Sequence, residues 1–168
     1  MWNNVKDYFI KRKAGLEIAR LMIEYGIRLD RSRRFYVGDV EIPDTSLARA
    51  AGVDRRVVRD TADYILQDEQ MLSLFEKLKP AGASLVDVAT MLGFTVLKVT
   101  ADPHKLGIIS AVSSVLMQHG VIIRQALADD PDLYPEPVLT LVLEGRVPAK
   151  AVEELNKLKL VTSLTLMS

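Results

Sequence analysis

Residues 94–127 read FTVLKVTADPHKLGIISAVSSVLMQHGVIIRQAL, and this stretch decides the fold. It opens with a strand-like run, FTVLKVT. A polar break follows at Asp102-Pro103-His104-Lys105. In the next run Ile108, Ile109, Val112, Val115 and Leu116 recur at helical spacing and predict one apolar face, with Ser110, Ser113, Ser114 and Gln118 off it. Gly120 stands where a left-handed helix end is expected, and His119 falls in the last turn. VIIRQAL then predicts a second strand over Val121–Leu127.

The remaining residues repeat the unit in mirrored order. PVLTLVLEG predicts a strand, PAKAVEELNKLKL a helix and VTSLTLMS a final strand. The resulting order is β-α-β-β-α-β, the split βαβ or ferredoxin-like pattern. Asp102 ending a strand, Gly107 opening a helix and the Gln118-His119-Gly120-Val121-Ile122-Ile123 segment closing it resemble the ACT domain, a small regulatory module that binds amino acids and related effectors. Two departures stand out. The family's Pro-Gly is spread into Pro103-His104-Lys105-Leu106-Gly107, and the Asn common after the helix-ending glycine is Ile122. The resemblance implies a ligand site at Asp102, His104, Lys105, Leu106, Gly107 and Ile108, with Ile122 and Arg124 contributing. Two edge strands meeting at a dimer axis would place Ile122 and Arg124 close to the partner subunit, with the Asp102–Gly107 loop and the following helix start at the same end of the sheet. Backbone donors at the helix start would take an anion and Arg124 would be a second cationic contact; the alternative for Arg124 is that it merely blunts a sheet surface. The resemblance also implies homodimers through the edge strand Val121–Leu127, which is apolar and carries a single charge.

Bulk properties narrow the class. The chain has 168 residues, 49% of them hydrophobic, with a formal net charge of +0, so any nucleic-acid contact must come from a local patch. The absence of cysteine excludes disulfides, thiolate metal sites and cysteine nucleophiles. No secretory h-region and no apolar run of membrane-spanning length is present, which sets a soluble cytoplasmic protein as the expectation.

Along the N-terminal half, Asn3 or Asn4 is expected to cap a helix running to about Tyr25, with a bend at Gly15. Lys11-Arg12-Lys13 is a solvated face or a phosphate contact. Ile27–Glu41 predicts short extended pieces around Gly38. Its Arg28, Arg31, Arg33 and Arg34 read equally as surface charges or DNA-backbone contacts. Asp44 or Thr45 is expected to cap a short helix with Leu47, Ala48 and Ala51 inward. Gly52 turns the chain, and Asp54 caps a second helix with Val57, Val58, Ala62 and Ile65 inward. Ala48, Gly52, Val53 and Val58 have the spacing of a helix-turn-helix, although Thr61 holds a position that is usually apolar. The alternative is a plain helical hairpin. Arg55, Arg56 and Arg59 at the start of the second helix, with Arg49 nearby, form the candidate DNA-binding set. Cations are disfavoured at a helix N-terminus, so phosphate or guanine contact would account for them, as would i,i+4 pairing with Asp60 and Asp63. Residues 1–60 hold 13 Lys and Arg against 9 Asp and Glu, a mildly basic segment in a neutral chain. A helix from Gln70 to Lys79, with Met71, Leu74, Phe75 and Leu78 on one side, precedes the Pro80–Ser84 breaker, and LVDVATML predicts a connecting helix.

The block Leu47–Arg59, the Leu78-Lys79-Pro80-Ala81-Gly82 link and the Asp129–Pro137 segment together resemble the archaeal predicted regulators of amino acid metabolism that contain an ACT domain. The expected class is therefore α+β. A helix-turn-helix domain over 1–79, a linker with a connecting helix over 80–93 and a ferredoxin-like ACT domain over 94–168 follow from it. The resemblance implies transcriptional regulation, with DNA, a small-molecule effector such as an amino acid, and a second copy of the chain as partners. A regulatory subunit that controls a partner enzyme is the alternative. No enzyme is expected, because no nucleophile–base pair, Walker loop or Gly-x-Gly-x-x-Gly motif occurs. No cofactor or metal is expected either: His104 and His119 lack zinc-ligand spacing, and Asp129, Asp130, Asp132 and Glu136 match no calcium loop.

Overall fold

The computed structural model describes residues 2–168. The fold is α+β, with seven α-helices and two antiparallel sheets. It divides into a unit ending at Gly82 and a second running from Ala83 to Ser168.

The first unit begins with α1 (Trp2–Tyr8) and α2 (Lys13–Tyr25), not the single helix expected. The chain breaks at residues 9–12 because Phe9 turns inward to full burial. Its ring packs edge-on against Tyr64, while Tyr8 stacks on Tyr64 at 4.4 Å. The two tyrosines also exchange hydrogen bonds. The Tyr8 hydroxyl donates to the Tyr64 carbonyl at 2.6 Å, and the Tyr64 hydroxyl to the Tyr8 carbonyl at 3.2 Å. Asn3 and Asn4 lie inside α1 and cap nothing. Gly15 does not bend α2; it lets the helix approach its neighbours. A Cβ there would come 3.1 Å from the Thr61 hydroxyl and 3.2 Å from the Phe9 ring, tighter than ordinary contact.

A small antiparallel sheet follows, formed by β1 (Ile27–Leu29), β2 (Phe35–Val37) and β3 (Val40–Ile42) in that order. β2 and β3 make a hairpin whose two-residue turn is Gly38-Asp39, with Val37 opposite Val40. Three helices complete the unit: α3 (Asp44–Ala51), α4 (Arg55–Leu66) and α5 (Glu69–Glu76). Leu47 and Ala48 of α3, and Val58, Thr61, Ala62 and Ile65 of α4, are buried. Thr61 sits at this usually apolar position without penalty, because its hydroxyl donates to the Val57 carbonyl one turn back at 2.7 Å. α5 starts earlier than expected. The Asp68 carboxylate caps it by accepting from the amides of Gln70 and Met71, and that phase buries Leu72 and Phe75.

The second unit contains β4 (Phe94–Ala101), α6 (Ile108–Gln118), β5 (Ile123–Ala128), β6 (Val138–Glu144), α7 (Ala149–Lys157) and β7 (Val161–Met167). The sheet order is β5-β6-β4-β7, and every neighbouring pair is antiparallel. Alternation along the strands sends Leu97, Val99, Leu139, Leu141 and Leu143 to one face, where they pack with Val112, Val115 and Leu116 of α6 and Leu155 of α7. Ile109 is not part of that face; it is 58% exposed. On the opposite face, Val96 and Val142 pack with Ala89 and the partly buried Leu85, Val86 and Phe94. The connecting helix expected over this segment is instead two single 3-10 turns, Val86–Val88 and Thr90–Leu92. Burying Ala89 against the sheet and closing the chain from Ala89 to Phe94 (2.8 Å) leaves no room for a continuous helix. The Gln125 side chain of β5 pins the segment, accepting from the Leu85 amide and donating to the Ala83 carbonyl, each at 2.8 Å.

Candidate nucleic-acid interface and effector cleft

The candidate interface is the corner between α3 and α4. Gly52 has φ 65°, ψ 31°, a left-handed conformation that a side chain would strain. Its amide and that of Val53 close α3 on the carbonyls of Arg49 and Ala48. Asp54 then caps α4, its carboxylate accepting from the Arg56 amide at 2.8 Å. This fixes the direction of α4 and presents Arg55, Arg56 and Arg59 from its first turns. These three and Arg49 are all exposed.

The four arginines differ in what they touch. Asp44 does not cap α3; Pro43 precedes the helix and Asp44 is its first residue. The Asp44 carboxylate, whose side chain is only 22% exposed, lies 3.1 Å from Nε of Arg59 and 3.6 Å from Nε of Arg55. The i,i+4 pairing of Asp60 and Asp63 with Arg56 and Arg59 does not form. Asp63 pairs with Arg33 instead, because the β1–β2 loop reaches α4. Arg49 and Arg56 have no acidic side-chain partner among the described residues. Sequence reasoning did not identify Asp44 as the partner of Arg55 and Arg59. The pairing spans a turn, and no helical spacing signals it.

The loop arginines behave differently from that corner. Arg31 pairs with Glu69 at 2.5 Å and approaches Glu76 at 3.9 Å. Arg34 lies 3.6 Å from Glu41. Arg28 stacks over the Tyr36 ring at 4.1 Å and donates to the Gly38 carbonyl. Arg12 lies over the Tyr64 ring at 4.2 Å. Each has a partner within its own unit, which favours the surface-charge reading for this loop.

In the second unit a cleft of about 690 Å³ opens between the end of β4, the start of α6 and the β5–β6 loop. Of the candidate ligand residues, Asp102, Lys105, Leu106, Gly107 and Ile108 line it. Asp129 and Pro131 of the β5–β6 loop and Val138, the first residue of β6, join them; the sequence placed Asp129 in an acidic cluster but not in this cleft. The β4–α6 and β5–β6 loops are folded by their own carboxylates. Asp102 accepts from the His104 amide at 3.0 Å, Asp129 from the Val138 amide at 3.1 Å, and Asp130 from the Asp132 amide at 2.8 Å. No group of three His, Asp or Glu side chains able to hold a metal occurs among the described residues. α6 follows Gly107, φ 92°, with no side-chain cap, so no capping side chain pairs its first amides, and Ile108, Ile109 and Ser110 line the cleft. His104 lies in the loop but does not line the cleft.

Arg124 and Ile122 are not at this site. Arg124 lies 3.7 Å from Glu144 and its guanidinium 5.5 Å from the Phe94 ring, at the start of β4. Asp102 follows the other end of that strand, eight residues and about 26 Å away at the rise of an extended chain. β5 runs parallel to β4 in this topology, so residues that begin β5 lie far from residues that follow β4. A bulge between Ile123 and Gln125 also breaks the alternation that would have aimed Arg124. One subunit's cleft and its own Arg124 therefore cannot share a ligand.

No helix among the described residues is long and apolar enough to cross a membrane. No protein-family model matches the chain, and no curated protein matches it. Solved structures that align with it include the crystal structure of PH0061, at 13% identity over 92% of this chain and 88% of that one, with a TM-score of 0.27. The crystal structure of MtbAldR aligns at 16% identity over 92% and 90%, with a TM-score of 0.25. Likenesses this weak carry no argument about function.

Proposed function

We propose that the protein is a DNA-binding transcriptional regulator that responds to a small molecule, its α3–α4 corner being a helix-turn-helix and its second unit a ferredoxin-like ACT module. The observation that carries this reading is the contrast among the arginines. Those of the β1–β2 loop are paired within their unit, whereas Arg49 and Arg56 stand exposed without an acidic partner beside Arg55 and Arg59 at the start of α4. Exposed arginines on the first turns of a capped helix, Arg56 among them with no acidic partner among the described residues, suit phosphate and guanine contacts.

The cleft suits an α-amino acid. The uncapped start of α6 offers donors for a carboxylate, Asp102 an acceptor for an ammonium group, and Leu106, Ile108 and Val138 an apolar wall. Dimerisation through β5 completes the picture. Pairing two β5 strands antiparallel across a twofold axis would bring Arg124 of the partner subunit beside Leu127–Asp129, near the cleft mouth. It would also present two recognition helices to a palindromic site. The protein is assigned no catalytic role.

Selection of bound duplexes from a random-sequence library tests the reading. The full chain should enrich a palindromic site, and the Arg55→Ala/Arg56→Ala/Arg59→Ala variant, folded by circular dichroism, should enrich none. Equal enrichment by both would show that α4 is not the reader, and none by the wild type would point to a subunit that controls a partner enzyme. Calorimetric titration with branched-chain, aromatic and acidic amino acids tests the cleft, and sedimentation at micromolar concentration tests the dimer.

A further inference from the structure

Among the described residues, Asp44 is the carboxylate that pairs with arginine side chains of the proposed reading face. It occupies the first turn of α3, where the helix dipole favours an anion, and its side chain is half-buried at 22% exposure. Arg55 and Arg59 are one helical turn apart on α4, and both direct Nε to the same Asp44 oxygen, Oδ2, at 3.6 and 3.1 Å. A single fixed anion between two long, flexible cations has two effects. It restricts their rotamers, holding both guanidinium groups on one line along α4, and it neutralises part of their charge. The neighbouring Arg49 and Arg56 are not restrained in this way.

We infer that Asp44 is a positioning residue that sets specificity: it withholds Arg55 and Arg59 from the phosphates of arbitrary duplex and presents them in register to a matching base sequence. This rests on the DNA-binding reading above. Arg49 and Arg56 then supply the sequence-independent attraction, and Arg55 and Arg59 engage only where a guanine edge or a correctly placed phosphate outcompetes the carboxylate. The Asp44 carboxylate discriminates against wrong sites, since each of them must break the pairing without replacing it.

The experiment compares wild type, Asp44→Asn and Asp44→Ala on two duplexes of equal length, one selected by the wild-type protein and one of random sequence, across a salt series. With Asp44→Ala the salt slope on random duplex should steepen by about 1 to 2, at roughly 0.9 per newly contacted phosphate. The ratio of selected to random affinity should fall roughly tenfold, the scale of one well-placed base contact. Asp44→Asn, which keeps an acceptor oxygen but no charge, should steepen the slope while retaining more of the ratio. In an Arg55→Ala/Arg59→Ala background, Asp44→Ala should change neither quantity. A role confined to stability would lower the melting temperature and leave slope and ratio as they are, which would overturn the proposal while DNA binding stood. A wild-type protein that selects no duplex overturns both.

Discussion

The helices α4 and α6 both begin next to a candidate site, and their starts are completed in opposite ways. α4 is closed by its own chain: Asp54 accepts from the Arg56 amide, and Asp44 lies beside Arg55 and Arg59. Two carboxylates therefore occupy the positive end of the helix, and this lets arginines stand where the dipole would otherwise repel them. α6 begins at Gly107 with no side-chain cap, and its leading residues Leu106 and Ile109 are exposed, Leu106 at 95%. Its amides are left to water or to an anion brought from outside. A helix start that satisfies itself can offer its side chains to a partner, whereas one left open offers its backbone. The same difference runs through the two units. Both units rest on an apolar core; the first adds a reciprocal tyrosine clamp, and the second packs its core as a layer between sheet and helices.

If α6 is held by packing alone, the largest loss should come from its core. Leu116 is fully buried against the sheet, and Leu116→Ala should cost about 2–5 kcal/mol, read as lost hydrogen-exchange protection along β4 and β6. A loss under about 1 kcal/mol would mean that some other tie holds α6. At the self-capped start, Asp54→Ala should cost about 1 kcal/mol in chemical denaturation. No loss would show that the cap does not stabilise α4.

The open start should respond to an added charge. Ile109 is the second residue of α6 and is 58% exposed. Ile109→Glu places a carboxylate near the free amides and should raise stability by about 0.3–1 kcal/mol at low salt. It should also abolish calorimetric binding of any carboxylate ligand in the cleft. Lowered stability would mean that the amides are already satisfied.

The smallest effect concerns the clamp in the first unit. Burial pushes the Tyr8 hydroxyl from its ordinary value of 10.0 up to about 12, with Asp68 and Tyr64 adding and Arg12 opposing. Because the folded value lies above the unfolded one, this contribution is complete below pH 10 and is lost as pH rises through about 12. Tyr8 is only partly shielded, so the effect should be modest. The phenolate absorbance of Tyr8, isolated by comparison with Tyr8→Phe, should appear near pH 12; ionisation near 10 would show that the clamp does not hold.

Much of this was legible in local pattern. The apolar run through Val112, Val115 and Leu116, and the alternation of Leu139, Leu141 and Leu143, mark a helix and a strand without any tertiary knowledge. Asp54 and Gly52 likewise announce a corner. What escaped depends on contacts distant in sequence. The partner of Arg59 is fixed by how α3 meets α4, fifteen residues back at Asp44. The break after Tyr8 is set by Tyr64, 56 residues away. Arg124 was misplaced because strand order, not strand parity, decides which end of the sheet a residue occupies, and because a bulge interrupts the parity there. The 84–93 segment has helical composition, but its geometry is dictated by Ala89 against the sheet and by the Gln125 clamp.

The central claim is that the exposed arginines of the α3–α4 corner bind DNA. The most direct measurement is the salt dependence of duplex binding by the wild type and by Arg49→Ala/Arg56→Ala, two exposed substitutions expected to leave the fold intact. The account predicts that the wild-type protein binds a selected duplex at low salt and that the double variant's log–log slope is shallower by about 2, close to 0.9 for each lost phosphate contact. Identical slopes for the two proteins, or no binding by the wild type at the lowest salt, would contradict it.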